Sequence, residues 1–181
     1  KTLSRVSFFF YRIRYDITMR IIKSLKDDQY PKAQVYNPRI AARGVCINDQ
    51  GEVALTHLLK DDKFGHRDYY ELPGGGKRLG ETVLGSAIRE MKEELGVEVM
   101  LLDKLGIIHD FYNLINQENY SYYYLFKVIK IGENHLEPRE AGLIDKIVWV
   151  PLQEAIRIFE TQTKIKGVGL LVARRELPIL K

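Results

Sequence analysis

The sequence predicts an α/β layered fold, and three features carry that prediction. Apolar or alternating segments typical of β-strands recur along the chain, before and after one strongly amphipathic helical stretch behind Glu81. Three successive glycines, Gly74 to Gly76, join a short strand segment to that stretch, and further helical segments follow the last strand segment. Mixed strands with helices in this order favour helices packed on a sheet.

Length and composition set the class of protein. The chain has 181 residues, with 45% hydrophobic and 29% charged residues, as in a soluble globular protein. We expect an arm and connector over residues 1–38 and one domain over residues 39–181. The formal charge of +4 suits a polyphosphate or nucleotide ligand, but scattered surface lysines explain it equally well, and it is small for a nucleic-acid-binding protein. Cys46 is the only cysteine and lies in an apolar run, so we expect a core thiol, no internal disulfide and a cytoplasmic protein.

The first residues alternate in polarity. Residues 9–17 have the period of a half-buried strand, and Met19 is a candidate natural start. The apolar run at residues 6–11 is too short for a membrane span and has no small-residue cleavage site, so neither a membrane anchor nor a signal peptide is expected. Residues 23–37 are interpreted as a connector or peripheral element.

The regular part of the domain begins at Arg39. Strands are predicted over residues 40–47 and 53–59, joined by a hairpin at residues 48–51, with a polar loop over 60–67 and a short strand over 69–72. After the central helix the pattern predicts strands over 97–102, 105–112 and 120–131, a polar loop over 133–145 and a buried strand over 147–150. Pro151 opens a helix over 152–159, and a last helix over 168–175 ends near Pro178.

The helical stretch behind Glu81 presents two different faces. At about 100° per residue, an apolar stripe forms on one side and an acidic arc on another. The stripe consists of Leu84, Ile88, Met91 and Leu95, and the arc of Glu90, Glu93 and Glu94. We predict that the stripe packs on the core and that the three carboxylates face one point. Their mutual repulsion would be relieved by a divalent cation such as Mg²⁺, although an ordinary solvated helix face is the alternative.

A longer pattern surrounds the three glutamates. Residues 75–97 read G-x5-E-x7-R-E-U-x-E-E-x-G-U, with U an apolar residue, and follow Leu72-Pro73-Gly74. The fixed positions are Gly75, Glu81, Arg89, Glu90, Met91, Glu93, Glu94, Gly96 and Val97. This stretch resembles the Nudix box, the signature of hydrolases that cleave a diphosphate linked to another moiety. A P-loop is excluded because Arg78, not Ser or Thr, follows Lys77.

The resemblance implies a fold, a cofactor and a set of site residues. The fold is the Nudix α/β/α sandwich with a mixed β-sheet. Glu90, Glu93 and Glu94 are the implied ligands of Mg²⁺ or Mn²⁺, with a backbone carbonyl of Gly74 or Gly75 as a further ligand. Glu90 is implied to be the general base or to stand beside it.

Arg89 completes the predicted catalytic group, and Glu81 is expected to support it. The guanidinium of Arg89 can hold Glu90 in a fixed geometry, and a plain ion pair with Glu93 is the compatible structural alternative. With Glu90 and Glu93, Arg89 forms the catalytic set that we predict. Glu81 precedes the helix proper and is expected to brace the loop rather than to bind metal.

Other candidates rest on weaker signals. Substrate contacts are predicted at Arg43, Lys77, Glu81, Tyr112 and Glu140. Arg39 and Arg78 are further phosphate candidates, and Glu137 is an alternative to Glu140, with a solvated loop as the other interpretation of both glutamates. One tyrosine among Tyr120, Tyr122, Tyr123 and Tyr124 is expected to face ligand. His57, His66, His109 and His135 lack metal-ligand spacing and are interpreted as surface or edge residues.

The resemblance leaves the substrate open. ADP-ribose enzymes of the family carry a proline where this chain has Asn113. The cysteines required by the zinc-binding segment of NADH pyrophosphatases are missing. The expected function is a metal-dependent hydrolase acting on a nucleoside diphosphate derivative or a nucleoside triphosphate. The alternatives are a non-catalytic Nudix-fold module that senses nucleotides or binds RNA, and an RNA 5′-end pyrophosphohydrolase. We expect a small nucleotide-type partner and neither nucleic acid nor membrane, while a homodimer is left open.

Overall fold

A computed structural model describes residues 19–62, 65–136 and 141–181 of the chain. The strand predicted over residues 9–17 and the loop candidates Glu137 and Glu140 lie outside these ranges. The strands within them are β1 (Ile21–Leu25), β2 (Asn37–Ile47), β3 (Glu52–Asp62), β4 (Gly65–Glu71), β5 (Gly74–Gly76), β6 (Val97–Tyr112), β7 (Gln117–Ile131) and β8 (Ile144–Pro151). The helices are α1 (Val83–Leu95), α2 (Leu152–Gln162) and α3 (Val168–Leu180). Within the described ranges, none of these helices is long and apolar enough to cross a membrane.

The strands form one mixed sheet. Its order is β1-β6-β7-β2-β3-β4, with β5 paired to β2 and β8 paired to β3. The β1–β6 and β2–β7 pairs are parallel, and the remaining pairs are antiparallel. The hairpin predicted at residues 48–51 is confirmed, because Ile47 of β2 pairs with Val53 of β3 across it.

Helices cover both faces of the sheet, because successive strand residues point to opposite sides. On one face Ala42 and Cys46 pack with Met91 of α1 and with Phe126. On the other face the core joins Val45, Val53 and Leu55 to helices α2 and α3 through Phe159 and Ala173. This arrangement is the α/β/α sandwich predicted from the sequence, and Cys46 is a fully buried core residue as expected.

Several predicted boundaries were wrong because strand pairing outweighs local sequence pattern. The polar loop predicted over residues 60–67 belongs mostly to a β3–β4 hairpin, in which Asp62 pairs with Gly65. The two strands predicted over 97–102 and 105–112 are one strand of 16 residues, β6. The polar residues between them stay within this strand, where the pairing with β7 is irregular. Residues 147–150 are only partly buried, since β8 pairs with β3 alone.

The segment interpreted as a connector is attached to the sheet. Lys23 and its neighbours lie in β1, an edge strand that pairs with β6, so this part is a peripheral element of the sheet and not a free connector. Beyond β1 the chain wraps around Asn113, whose backbone N–H donates to Asp27 Oδ2 at 2.7 Å and whose side-chain amide donates to the carbonyl of Tyr30 at 2.9 Å. Tyr36 donates from its hydroxyl to Asn113 Oδ1 at 2.6 Å. The division of the chain at residue 38 stays a prediction.

The last helix extends beyond its predicted end. It continues through Pro178 to Leu180, which is buried. Proline cannot donate the N–H that would bond the carbonyl of Arg174, and this penalty was the reason for ending the helix early. Burial of Leu180 in the core beside Phe159 offsets that loss.

Candidate active site

The central helix α1 is fixed at both ends by its sequence. Thr82 caps the N-terminus, accepting a hydrogen bond from the N–H of Gly85 at 3.0 Å. Gly96 ends the helix with a left-handed φ of 68°, which glycine adopts without steric cost. The buried side of the helix includes Ala87, Met91 and Leu95, whereas Ile88, predicted to lie on the apolar stripe, is 41% exposed.

Glu90 and Glu94 lie on the buried side of α1, not on an open face. Glu90 is 3% exposed and Glu94 is 5% exposed. The glycine strand β5 lies against them and is held by its pairing with β2, where Gly75 faces Ala42. A β-carbon on Gly75 would lie 2.5 Å from Glu90 Oε1, so only glycine allows the backbone to approach this carboxylate so closely.

Glu94 is a carboxylate that its surroundings disfavour as an anion. Its Oε2 accepts a hydrogen bond from the backbone N–H of Gly74 at 2.9 Å. Burial, followed by the negative charges of Glu71 and Glu90, nevertheless raises the pKa of Glu94 well above its ordinary value. A positive charge beside Glu94 would therefore stabilise its anionic form.

Arg89 connects the loop before α1 to the glutamates on it. Its Nη1 donates to Glu90 Oε1 at 2.8 Å and to Glu93 Oε2 at 2.7 Å. Its Nε donates to Glu81 Oε1 at 2.6 Å, and Glu81 Oε2 accepts from the backbone N–H of Arg78. The two interpretations of Arg89 therefore coexist, since it pairs with Glu93 and also fixes Glu90, while Glu81 braces the loop.

Glu93, the remaining glutamate of the predicted arc, has different partners from Glu94. Glu93 is held between Arg89 and Arg78, whose Nη2 lies 3.2 Å from Glu93 Oε2. Across residues 19–62, 65–136 and 141–181, no three acidic, histidine or cysteine side chains are close enough together to enclose one metal ion. The predicted arc is thus divided in this conformation: Glu90 and Glu94 face inward under β5, and Glu93 faces a pair of arginines.

A cleft of about 490 Å³ opens beside Glu90 and Glu94. Five arginines contribute to its wall: Arg39, Arg43, Arg67, Arg78 and Arg175. The predicted site residues that line it are Gly74, Gly75, Glu90, Glu94, Arg43 and Tyr112. Arg89, Glu93, Glu81 and Lys77 do not line it, and Lys77 instead donates from Nζ to the carbonyl of Arg78 at 3.3 Å.

Arg43 belongs to the floor of the cleft. It is 4% exposed, and its Nη1 donates to the carbonyl of Leu72 at 2.8 Å and lies 3.2 Å from Glu71 Oε2. Arg175 of α3 lies 3.3 Å from the same carboxylate oxygen. Arg43 and Arg175 therefore hold Glu71 beside the box, a role that isolated sequence positions 43, 71 and 175 did not indicate.

Other predictions about side chains need correction. His57 is not a surface or edge residue: it is 7% exposed and bridges Asp68 at 2.8 Å and Asp145 at 2.9 Å. None of the four tyrosines considered on β7 lines the cleft. Tyr123 and Tyr124 are buried in the two cores, and the tyrosines that line the cleft are Tyr69 and Tyr112.

Comparison with known proteins identifies the family. A sequence model of the NUDIX domain matches residues 37–168. The chain belongs to the Nudix family. This confirms the recognition made from the box and the assignment as a Nudix hydrolase, for which pyrophosphate-bond hydrolysis is the general chemistry.

Sequence relatives of this Nudix chain are distant. An uncharacterised Nudix hydrolase of Listeria monocytogenes is 30% identical over 100 residues, which cover 54% of this chain and 57% of that protein. Human diphosphoinositol polyphosphate phosphohydrolase 2 is 28% identical over 118 residues, covering 65% of this chain and 62% of that protein. The chain thus matches less than two thirds of the length of these relatives.

Solved structures share the Nudix fold. A NUDIX hydrolase from Nitrosomonas europaea superposes with a TM-score of 0.59 at 16% identity, covering 76% of this chain and 85% of that one. The MutT protein of Methanosarcina mazei superposes with a TM-score of 0.57 at 15% identity, covering 82% and 96%. At these identities the comparison establishes the fold alone.

The donor set beside β5 fits a divalent cation of the Mg²⁺ type. It consists of carboxylate and carbonyl oxygens, which hard cations prefer. Glu94 is buried with the carboxylates of Glu71 and Glu90 nearby, and a cation would offset this negative charge. Glu90, Glu94, Gly74 and Gly75 line the cleft and could hold such a cation, and their role as ligands, like that of Glu93, stays a prediction.

Proposed function

We propose that this Nudix protein hydrolyses the pyrophosphate bond of a nucleoside diphosphate linked to another group, or of a nucleoside triphosphate, with a divalent metal ion. One observation carries the proposal: two buried carboxylates, Glu90 and Glu94, stand under a glycine strand at the wall of an arginine-lined cleft. A diphosphate needs positive charge around its oxygens, and that cleft supplies it.

Each part of the chain has a distinct task in this proposal. Mg²⁺ or Mn²⁺ would supply Lewis acidity and activated water when bound. Glu90 accepts a hydrogen bond from Arg89 through Oε1, which orients its carboxylate for work as a general base. Arg39 and Arg78, both on the cleft wall, would neutralise phosphate oxygens. Arg43 and Arg175 keep Glu71 fixed on the floor.

A second candidate substrate class is favoured by the same arginines. Arg39, Arg67 and Arg78 line the cleft besides the two arginines that hold Glu71, and a polyphosphorylated non-nucleotide would engage more guanidinium groups than a single diphosphate does. The relative named diphosphoinositol polyphosphate phosphohydrolase 2 supports including this class, since its matched part covers 65% of this chain. We rank it second because it rests on the charge of the cleft and on one distant relative.

A product assay separates the candidates. The purified protein is incubated with nucleoside triphosphates, dinucleoside polyphosphates, nucleotide sugars and a diphosphoinositol polyphosphate, with Mg²⁺, with Mn²⁺ and with excess chelator. We expect metal-dependent release of phosphate, pyrophosphate or nucleoside monophosphate from one class. Glu98→Gln, on an exposed β6 residue, is the control for Glu90→Gln. Hydrolysis that persists in chelator, or that is lost equally in both variants, would refute the proposal.

A negative result over the whole panel would favour a nucleotide-sensing or RNA-binding module. Direct binding of nucleotides and of 5′-triphosphorylated RNA then distinguishes these two alternatives. The cytoplasmic location and the possible homodimer remain predictions.

A further inference from the structure

The cleft extends beyond the carboxylates of the box to a second polar group on the sheet. Asp110 of β6 and Asn119 of β7 are direct partners in the antiparallel register, and both line the cleft. Asn119 is itself paired in register with Arg39 of β2, whose Nη2 would lie 3.2 Å from a β-carbon on Gly76. Arg39 therefore lies between the glycine strand and this pair.

The pair presents hydrogen-bond acceptors that nothing in the described chain satisfies. Asn119 is 4% exposed, and its Nδ2 donates to Asp110 Oδ1 at 3.0 Å. Asp110 Oδ2 and Asn119 Oδ1 are both buried and have no hydrogen-bond partner among the described residues. A buried acceptor without a donor is costly, and such groups usually have a ligand or a structural reason.

The orientation of the asparagine amide follows from its neighbour. If the amide were rotated by 180°, its oxygen would face Asp110 Oδ1, and two acceptors would repel each other. The observed hydrogen bond therefore fixes Asn119 Oδ1 as an acceptor. The hydroxyl of Tyr112, two residues from Asp110 on the same face of β6, is also buried without a partner in the described chain and lines the cleft.

We infer that Asp110 and Asn119 form a specificity subsite for the moiety attached to the diphosphate, and that this moiety presents two neighbouring hydrogen-bond donors. The inference rests on the proposed function. Two chemistries share this feature: the adjacent hydroxyls of a sugar and the N–H edge of a base such as guanine. Phe111 and Ile115 also line the cleft and provide apolar contact for a ring.

The subsite is separate from the catalytic group. Asp110 and Asn119 hydrogen-bond to each other and belong to strands on the floor of the cleft, whereas Arg89, Glu90 and Glu94 belong to α1. Changing them should alter which substrate binds, with a smaller effect on the turnover of bound substrate. Asp110→Asn keeps the shape of the side chain and the bond from Asn119, but replaces an acceptor at Oδ2 by a donor.

The test measures binding as well as turnover. Methylene-bridged analogues of the best substrate are titrated by calorimetry into the wild type, Asp110→Asn, Asn119→Leu and the control Asp103→Asn, an exposed position on the same strand. Each is titrated with three ligands: the full analogue, one lacking a base amino group or N–H, and one lacking a sugar hydroxyl. Unfolding midpoints verify that each variant is folded.

We expect the wild type to bind the full analogue about tenfold more tightly than one of the two depleted analogues, because a lost hydrogen bond leaves a buried acceptor unpaired. The analogue that binds more weakly shows whether the subsite recognises the sugar or the base. Asp110→Asn and Asn119→Leu should remove the preference, and Asp103→Asn should keep it. An unchanged preference in both cleft variants, or equal binding of all three ligands by the wild type, would overturn the subsite while leaving the proposed function intact. If the wild type binds no diphosphate analogue, the proposed function itself fails.

Discussion

At the scale of single residues, Arg89 connects several parts of the candidate site. Its guanidinium donates to Glu81, Glu90 and Glu93 and also to Gly76 O and Ser86 Oγ. A planar group with five N–H donors satisfies these acceptors at once, whereas a lysine ammonium has three donors and no fixed plane. The side chain is 16% exposed, so this is not a simple surface ion pair.

Arg89→Lys should therefore affect rate and stability together. We expect kcat to fall by about tenfold or more, because misorientation of Glu90 by a fraction of an ångström disturbs the attacking geometry. Loss of charge-assisted hydrogen bonds should cost about 1–3 kcal/mol of unfolding free energy. As a plain ion pair with Glu93 alone, Arg89 would contribute little to stability.

The control for this variant is Arg157→Lys, which changes a 74% exposed arginine that pairs with Glu154. Its kcat and unfolding free energy should match those of the parent protein, since an exposed pair contributes little. Steady-state kinetics and denaturant unfolding measure both quantities. If Arg89→Lys and Arg157→Lys behave alike, Arg89 has no positioning role.

At the scale of elements, the contact between β5 and α1 defines the site. A β-carbon on Gly75 would meet Glu90 Oε1 at 2.5 Å, so Gly75→Ala must displace either the strand or the carboxylate. We expect a loss of about a hundredfold in kcat/KM from this displacement. Gly132→Ala is the matched control, because a β-carbon there would have its nearest neighbour at an ordinary 3.5 Å. Equal activity in both variants would show that the close approach has no catalytic consequence.

A second element-scale prediction concerns the bridge across β3. His57 joins Asp68 of β4 to Asp145 of β8, on the two sides of its own strand. His57→Gln should lower the unfolding free energy by about 1–3 kcal/mol, because a buried bridging group is lost. His66→Gln, at a 61% exposed side chain that pairs with Asp61, should change it by less than about 0.5 kcal/mol. Urea unfolding measures the unfolding free energy of both variants. Similar small losses in the two variants would contradict a bridging role for His57.

Elements differ in how well the sequence specifies them. Helix α1 was predictable because its apolar period, its Thr82 cap and its Gly96 terminus agree. Strand β1 was missed because its five residues are mostly exposed and its stability depends on pairing with β6, about 85 residues away. The same limit hid Asp110 and Asn119, which become neighbours only through strand register. Sequence pattern thus identified the catalytic motif, and pairing was needed to find the rest of the cleft.

At the scale of the whole molecule, the cleft needs both helical layers. Helix α1 supplies Glu90 and Glu94 from one side of the sheet, and α3 supplies Arg175 from the other. The glycine strand at the edge of β2 is the point where these layers meet the sheet surface. This arrangement explains why the box alone gives the reaction class but not the substrate, since most of the cleft wall lies outside residues 75–97.

Glu94 is a buried carboxylate, and in the proposed function it serves metal-dependent hydrolysis and not stability. Burial raises its pKa, so the folded protein gains stability from a protonated side chain and loses it as pH rises through the raised pKa. Neutral glutamine at this position should therefore leave the unfolding midpoint at neutral pH unchanged or higher. Its side-chain oxygen can still accept from the N–H of Gly74.

The most direct test is the turnover of Glu94→Gln on the best substrate at saturating Mg²⁺, with the unfolding midpoint recorded on the same sample. We predict that kcat falls by about a hundredfold or more while the midpoint is maintained or raised. Turnover close to that of the wild type, in a variant that is folded and saturated with metal, would show that Glu94 has no role in metal-dependent hydrolysis.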